Sequence, residues 1–120
     1  MSETRARRVA DQIKKEVSQI IGKELKDPRV KVLTSVTEVQ VTRDLRYARI
    51  YVSIYGTPEE QEETCRVLTR AVGFFRSEIG RRIRLRYAPE LTFELDRSME
   101  YGEHIEQILK SIRSETEGNA

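Results

Sequence analysis

The chain has 120 residues, of which 38% are hydrophobic and 35% are charged, and its formal net charge is +2. A chain of this length is expected to form one domain that buries enough surface to fold unaided. It has no apolar run long enough to span a membrane, no secretory signal at its first residues and one cysteine, Cys65, so a reducing cytoplasm is expected. The chain is also expected to be a monomer.

A first amphipathic helix is predicted from residue 4 to about residue 26. Its apolar positions recur every three or four residues and are Ala6, Val9, Ile13, Val17, Ile20, Ile21 and Leu25. Basic residues fall on the opposite side, in a band roughly 80° wide at about 100° per residue. This α1 basic band consists of Arg5, Arg8, Lys15, Lys23 and Lys26. The Asp27-Pro28 step ends the helix, because a residue before proline avoids helical backbone.

Two strands are predicted next, over residues 32–41 and 47–55, joined as a hairpin by a turn at residues 43–45. The second strand alternates apolar and polar residues throughout. In the first strand, Leu33, Val39 and Val41 share one parity, whereas Val36 has the other. We therefore expect a bulge or a late start near Thr37-Glu38.

A helix is then predicted with Thr57 as its N-cap and Glu60 placed to complete a capping box. Its apolar face continues to about Ile83 but is interrupted at Ala71-Val72-Gly73, because Gly73 costs roughly 1 kcal/mol inside a helix. The small residues Ala71 and Gly73 allow either a kink or the close approach of another backbone. We expect two short helices joined at a kink.

The remaining predicted elements are a third strand over residues 91–95 and a last helix that Ser98 can cap, before a frayed tail at residues 114–120. The order is helix, strand, strand, kinked helix, strand, helix. Such an order packs the helices on one face of a small sheet. The sequence therefore predicts an α+β fold in a single domain, residues 1–113.

Positive charge is concentrated in two segments of the chain. Residues 1–50 carry 12 basic against 7 acidic residues, and residues 76–86 carry five arginines against Glu78, whereas the other two segments are acidic. This alternation is typical of a chain that binds a polyanion through one face. A solvated charged helix face is the alternative. The candidate RNA-binding residues are Arg5, Arg8, Lys15, Lys23, Lys26, Arg29, Arg76, Arg81, Arg82, Arg84 and Arg86.

The outer face of the sheet is a second candidate surface. Its aromatic residues suit base stacking, although packing between strands accounts for them better. The residues concerned are Tyr47, Tyr51 and Tyr55 with Arg49. Glu94 and Asp96 are expected on the same face and would repel phosphate, so we interpret it as the lesser surface.

No catalytic site, metal site or cofactor is predicted. His104 is the only histidine and has no second ligand at metal-binding spacing. No glycine-rich phosphate loop occurs. The alternating carboxylates Glu90, Glu94 and Asp96 are interpreted as a solvated face paired with arginines rather than as a nuclease-like cluster. The chain is therefore not expected to be an enzyme.

Four stretches resemble the ribosome-binding factor A family of bacterial ribosome-assembly proteins. They are residues 26–29 (KDPR), 42–53 (TRDLRYARIYVS), 71–73 (AVG) and 89–98 (PELTFELDRS). They occur in family order, and the similarity covers about residues 4–113. This family resembles KH RNA-binding domains but has Ala-x-Gly where KH domains carry Gly-x-x-Gly. The resemblance implies the type II KH arrangement, with a three-stranded sheet.

The resemblance also implies a function. A family member binds the free, immature small ribosomal subunit and its ribosomal RNA, and assists late rRNA processing near the 5′ end, including at low temperature. Release would follow a change in the RNA or the action of another factor, such as an assembly GTPase. Family members often carry a longer C-terminal extension than this chain, which ends at Ala120.

Two alternatives remain open from the sequence. One is a generic KH-like binder of single-stranded RNA, against which the missing Gly-x-x-Gly speaks. The other is a protein-interaction module that works through the acidic C-terminal helix.

Overall fold

The computed structural model describes residues 2–24 and 34–97. Helix α1 (Ser2–Gln19) continues into a π-helical turn (Ile20–Glu24), and strands β1 (Thr34–Val41) and β2 (Tyr47–Ile54) follow. Helices α2 (Pro58–Arg70) and α3 (Val72–Arg82) then precede strand β3 (Glu90–Leu95). The predicted order of elements is confirmed over these residues. The predicted last helix and tail lie outside the described residues.

The three strands form one mixed sheet in the order β1-β2-β3. Strands β1 and β2 are an antiparallel hairpin, whereas β2 and β3 are parallel and are connected through α2 and α3. Helix α1 packs against β1, and α2 and α3 pack against β3. With helices on one face of a three-stranded sheet, the α+β prediction is confirmed, and the arrangement is the KH-like one that the resemblance implies.

Strand β1 contains the expected bulge. Val36 pairs with Val52 and Glu38 pairs with Tyr51, so Thr37 has no partner in the register. The extra residue shifts the phase of the strand. Val36 and Val39 are consequently both buried although they are three residues apart, which accounts for the irregular parity in the sequence.

The hydrophobic core lies between the sheet and the helices. Its fully buried residues come from every helix and from the central strand: Ile13, Val17 and Ile20 from α1 and its π turn, Ile50 and Val52 from β2, Leu68 from α2, and Phe75 and Ile79 from α3. The ring of Phe75 packs edge-on against that of Phe93, with centroids 5.0 Å apart. This contact joins α3 to β3.

The kink between α2 and α3 is at Ala71, where φ is −89° and ψ is 8°. The Ala71 N–H donates to the carbonyls of Val67 and Leu68, both at 3.1 Å. Gly73 lies inside α3 and does not have a positive φ. A Cβ at Gly73 meets no atom within 4 Å. The kink is confirmed, but the described residues do not use Gly73 for a close backbone approach.

The start of α2 is fixed by the predicted capping box. The Glu60 N–H donates to Thr57 Oγ1 at 3.2 Å, and the Thr57 N–H donates to Glu60 Oε1 at 3.0 Å. Gly56, just before the cap, has φ of +143°, in the region that favours glycine. A side chain there would also press against Glu60. This sharp turn is what sends the chain from β2 into α2.

Candidate nucleic-acid interface

The α1 basic band is exposed over the part of the chain that the structure describes. Arg5, Arg8, Lys15 and Lys23 all face solvent, on the side opposite the buried residues Ile13 and Val17. None of these four side chains forms an ion pair with another described residue. Lys26 of the band and the candidate Arg29 lie outside the described residues. The exposed part of the band therefore keeps its positive charge available.

The arginines at the end of α3 differ from expectation. Glu78 accepts from Arg81 Nη2 at 2.9 Å and from Arg82 Nε at 3.3 Å. Arg82 Nη1 also binds Glu16 Oε2 at 3.1 Å, and the Arg82 side chain is only 21% exposed. The sequence predicted almost no acidic partners for Arg81 and Arg82. That prediction is wrong, because both pair with Glu78 and Arg82 also ties α3 to α1 through Glu16.

Four arginines from separate parts of the chain line one cleft of about 580 Å³. They are Arg5 in α1, Arg46 in the β1–β2 turn, Arg76 in α3 and Arg86 between α3 and β3. Its other lining residues are Asp44, Leu45, Tyr47, Leu85, Tyr87, Ala88 and Glu90. We call this site the basic cleft. It joins three of the predicted residues, Arg5, Arg76 and Arg86, with Arg46 and Tyr87, which the sequence reasoning did not select.

Backbone contacts hold two sides of the basic cleft together. Arg76 Nε donates to the Pro89 carbonyl at 3.2 Å, and Arg76 Nη2 donates to the Ala88 carbonyl at 3.3 Å. The Glu90 N–H donates to the Arg46 carbonyl at 2.8 Å. The segment before β3 is thus fixed to α3 on one side and to the β1–β2 turn on the other.

The β1–β2 turn is built from its own polar groups. Asp44 Oδ1 accepts from Thr42 Oγ1 at 2.6 Å and from the Arg46 N–H at 3.1 Å. The hydrogen bond from Thr42, followed by that from Arg46, holds the pKa of Asp44 below its usual value. Leu45 adopts φ of +61°. The Asp44 carboxylate is therefore ionised and engaged within the turn that places Arg46 at the cleft.

Two tyrosines give the basic cleft an aromatic component. Tyr47 is 56% exposed and Tyr87 is 75% exposed. The Arg86 guanidinium lies 5.7 Å from the centroid of the Tyr87 ring, a cation–π arrangement. Arg84, the remaining candidate of this segment, is exposed and has no ion-pair partner among the described residues.

The outer sheet face is partly neutralised. Arg49 Nε lies 3.4 Å from Glu94 Oε1, and Arg49 Nη1 donates to the Tyr51 hydroxyl at 3.4 Å. Tyr51 is half-buried. The expected position of Glu94 beside the tyrosines is confirmed, since Tyr51 pairs with Glu94 in the sheet. This arrangement leaves Arg49 less available to phosphate than the arginines of the basic cleft.

The described residues contain no group of three or more His, Cys, Asp or Glu side chains that could hold a metal ion. Asp96, just after β3, accepts from Thr37 Oγ1 at 2.6 Å, whereas Glu94 in β3 pairs with Arg49. His104 lies outside the described residues. Within those residues, no helix is long and apolar enough to cross a membrane.

The family model described as ribosome-binding factor A matches residues 5–109 of the sequence. The chain belongs to the ribosome-binding factor A family. It is 52% identical over 111 residues to ribosome-binding factor A of Caldanaerobacter subterraneus subsp. tengcongensis, covering 92% of this chain and 91% of that protein. The family predicted from the four sequence stretches is therefore confirmed.

Solved structures of the family have the same fold. The crystal structure of ribosome-binding factor A from Thermus thermophilus matches with a TM-score of 0.69 at 28% identity, over 78% of this chain and 97% of that one. A homology model of the Thermus thermophilus factor, fitted into a cryo-EM map of its complex with 30S, matches with a TM-score of 0.60 at 29% identity. It covers 73% of this chain and 91% of that one.

Proposed function

We propose that this chain is a non-enzymatic assembly factor that binds the free, immature small ribosomal subunit through its ribosomal RNA. The observation that carries the proposal is the exposed set of basic groups on α1 and around the basic cleft, in a chain of the ribosome-binding factor A family. A related factor has been fitted into a map of a 30S complex. Exposed lysines and arginines bind phosphates and release counterions, which favours a folded RNA as partner.

The geometry at the kink favours recognition of RNA shape over the ordinary KH mode. In KH domains a Gly-x-x-Gly loop clamps the backbone of single-stranded RNA. Here the Ala71 N–H is already bonded to two carbonyls of α2, and α3 begins at once with Val72. The generic KH-like single-stranded RNA binder is therefore the weaker alternative.

The finer role that we propose is assistance to late rRNA processing, with the largest effect at low temperature. A protein that binds one RNA arrangement more tightly than its competitors increases the population of that arrangement. Misfolded RNA arrangements persist longer in the cold, so the benefit would be largest there. We propose that the chain acts as a monomer in the cytoplasm and leaves when the RNA changes or an assembly GTPase acts.

Sucrose-gradient sedimentation of a tagged chain tests the binding. We expect it to migrate with free small subunits from cold-grown cells and to be absent from translating ribosomes. Cells depleted of the protein should accumulate small-subunit rRNA with an unprocessed 5′ end. Sedimentation only at the top of the gradient, with normal rRNA ends after depletion, would contradict the proposal.

The protein-interaction alternative needs a variant that removes positive charge without disturbing the fold. Reversing Arg81 and Arg82 together is unsuitable, because Arg82 ties α3 to α1 through Glu16. Arg8→Glu with Lys15→Glu is better, since both side chains are exposed and lack ion pairs with described residues. If this double variant retains full activity in cells, RNA contact by α1 is wrong and the protein-interaction alternative is favoured.

A further inference from the structure

We propose that the basic cleft holds one unpaired RNA nucleotide, with its phosphate among Arg5, Arg46 and Arg86 and its base on the ring of Tyr87. The inference rests on the proposed function, since it takes RNA as the ligand. It adds a specific subsite at the end of the sheet where β2 and β3 begin, and none of the kink residues Ala71, Val72 and Gly73 lines it. Such a subsite would select RNA in which one base is already splayed out.

The charge of the cleft suits a phosphodiester. Four arginines and two carboxylates line it. The Asp44 carboxylate stays ionised while it accepts from Thr42 and from the Arg46 N–H, so with Glu90 the lining carries four positive and two negative groups, a net charge of +2. Guanidinium groups bind phosphate through paired, parallel hydrogen bonds. This small net positive charge of the lining therefore favours an anion with a single phosphate over a long run of phosphates.

The cleft is also held in shape before any ligand arrives. Arg76 is bonded to two backbone carbonyls of the wall that carries Tyr87. The opposite wall is fixed by the hydrogen bond from the Glu90 N–H to the Arg46 carbonyl. Pre-organised walls reduce the side-chain and loop ordering that binding otherwise costs. Arg76 is thus a positioning residue, while the other three arginines are placed to contact the ligand.

Volume and aromatic content favour a nucleotide over an acidic peptide. A cleft of about 580 Å³ is within the usual range for sites that take small organic ligands. Tyr87 is 75% exposed and carries Arg86 beside its ring. An exposed tyrosine next to arginines is the arrangement on which unpaired bases stack. A paired base has its faces covered by its neighbours, so duplex RNA cannot use this ring.

The experiment titrates the full chain, at low salt, into a single-stranded pentanucleotide whose central base is 2-aminopurine. The fluorescence of 2-aminopurine falls when the base stacks on an aromatic ring. We expect quenching on binding to the unmodified chain. Tyr87→Ala should abolish the quenching and weaken binding about tenfold, a typical value for one stacked base. Tyr87→Phe keeps the ring and should retain both.

Matched variants separate the cleft from general surface effects. Tyr55 is 78% exposed, does not line the cleft and belongs to the outer sheet face, the other candidate stacking surface. Tyr55→Ala should change neither quenching nor affinity if the base stacks in the cleft. Arg86→Ala should weaken binding by a similar factor to Tyr87→Ala. The same five nucleotides placed inside the paired stem of a longer hairpin should not be quenched by any variant.

Three results would overturn the inference. They are no binding of the pentanucleotide by the unmodified chain, equal quenching by the Tyr87→Ala variant, and tighter binding of a glutamate-rich peptide that depends on Tyr87. The last result would assign the cleft to an acidic protein segment. The small subunit is titrated separately with the unmodified chain. If the chain binds the small subunit but the oligonucleotide titrations do not give the expected results, only the inference about the cleft is wrong. If the subunit does not bind, the proposed function is wrong.

Discussion

Gly73 has an ordinary helical conformation and open space where a side chain would lie. Folding therefore does not require glycine there. Because glycine loses more backbone freedom on folding than alanine, Gly73→Ala should raise the free energy of unfolding by about 0.5–1 kcal/mol. Urea denaturation followed by circular dichroism measures this. A destabilised variant would contradict the structure of the kink.

Gly80→Ala is the matched control in the same helix. A Cβ at Gly80 would lie 3.9 Å from the Ala88 Cβ, an ordinary contact, so this variant should also be stabilised. If RNA approaches the kink closely, Gly73→Ala should weaken binding to the small subunit while Gly80→Ala does not. Equal affinities would mean that Gly73 serves neither folding nor binding.

Cys65 allows a pH prediction. Burial, and then the charge of Glu94, raise the pKa of its thiol above the ordinary value of 9.0. The folded state therefore holds the thiol proton more tightly than the unfolded state. The contribution of this difference to the free energy of unfolding is complete below about pH 9. It is lost as the pH rises through the pKa of the thiol in the folded state. The rate of alkylation by iodoacetamide should reach its midpoint at higher pH in the native chain than in urea. An equal or lower native midpoint would be inconsistent with this burial.

Single residues show where sequence reasoning stops. Arg81 and Arg82 share Glu78 within one helix, which the spacing of three and four residues allows. The second partner of Arg82, Glu16, is on another helix and 66 residues away. No local sequence pattern reveals such a contact. The net charge of a segment therefore does not predict which of its arginines are available to bind phosphate.

At the scale of elements, the start of α2 depends on one side chain. Thr57 accepts from the Glu60 N–H, and its loss leaves a helix N–H without this partner. Thr57→Ala should lower the free energy of unfolding by about 1 kcal/mol, whereas Thr57→Ser should be nearly neutral. Thermal unfolding of the two variants side by side measures this. A Thr57→Ala variant as stable as the serine variant would show that Pro58 and the acidic first turn suffice.

The elements were predictable where periodicity is strong. The hairpin, the capping box, the kink and the bulge at Thr37 all follow from local pattern, because parity and cap residues report directly on backbone geometry. The π-helical turn at Ile20–Glu24 was not predicted, because an α-helix and a π-helical turn both bury Ile20 and so give the same apolar pattern. The parallel pairing of β2 with β3 also depends on tertiary packing, which alternation within one strand does not encode.

For the whole molecule, the exposed basic groups predict a strong dependence of binding on salt. Affinity for the small subunit should fall steeply as salt rises, with a slope set by the number of phosphates contacted. Arg8→Ala with Lys15→Ala should reduce the slope of log affinity against log salt by roughly 1 to 2. Arg66→Ala is the control, because Arg66 is paired with Glu63 on α2, and it should leave the slope unchanged. A slope near zero for the unmodified chain would contradict binding through phosphates.

The basic cleft itself illustrates what only the tertiary structure provides. Its arginines are at positions 5, 46, 76 and 86, and no spacing in the sequence links them. The sequence selected three of the four from local charge density. Arg46 follows the predicted turn at residues 43–45 and belongs to neither the α1 basic band nor the arginine-rich segment 76–86, so neither pattern selected it.

The parallel pairing of β2 with β3 has a consequence for biosynthesis. Tyr47 pairs with Glu90, so this contact closes a loop of roughly 40 residues and is expected to form late. A nascent chain that has emerged only as far as Arg82 contains the hairpin and both following helices but leaves one edge of β2 open. An open edge is a template for pairing with other chains. The six-residue strand Glu90–Leu95 therefore covers the open edge of β2, and a translational pause just before it would prolong the exposure.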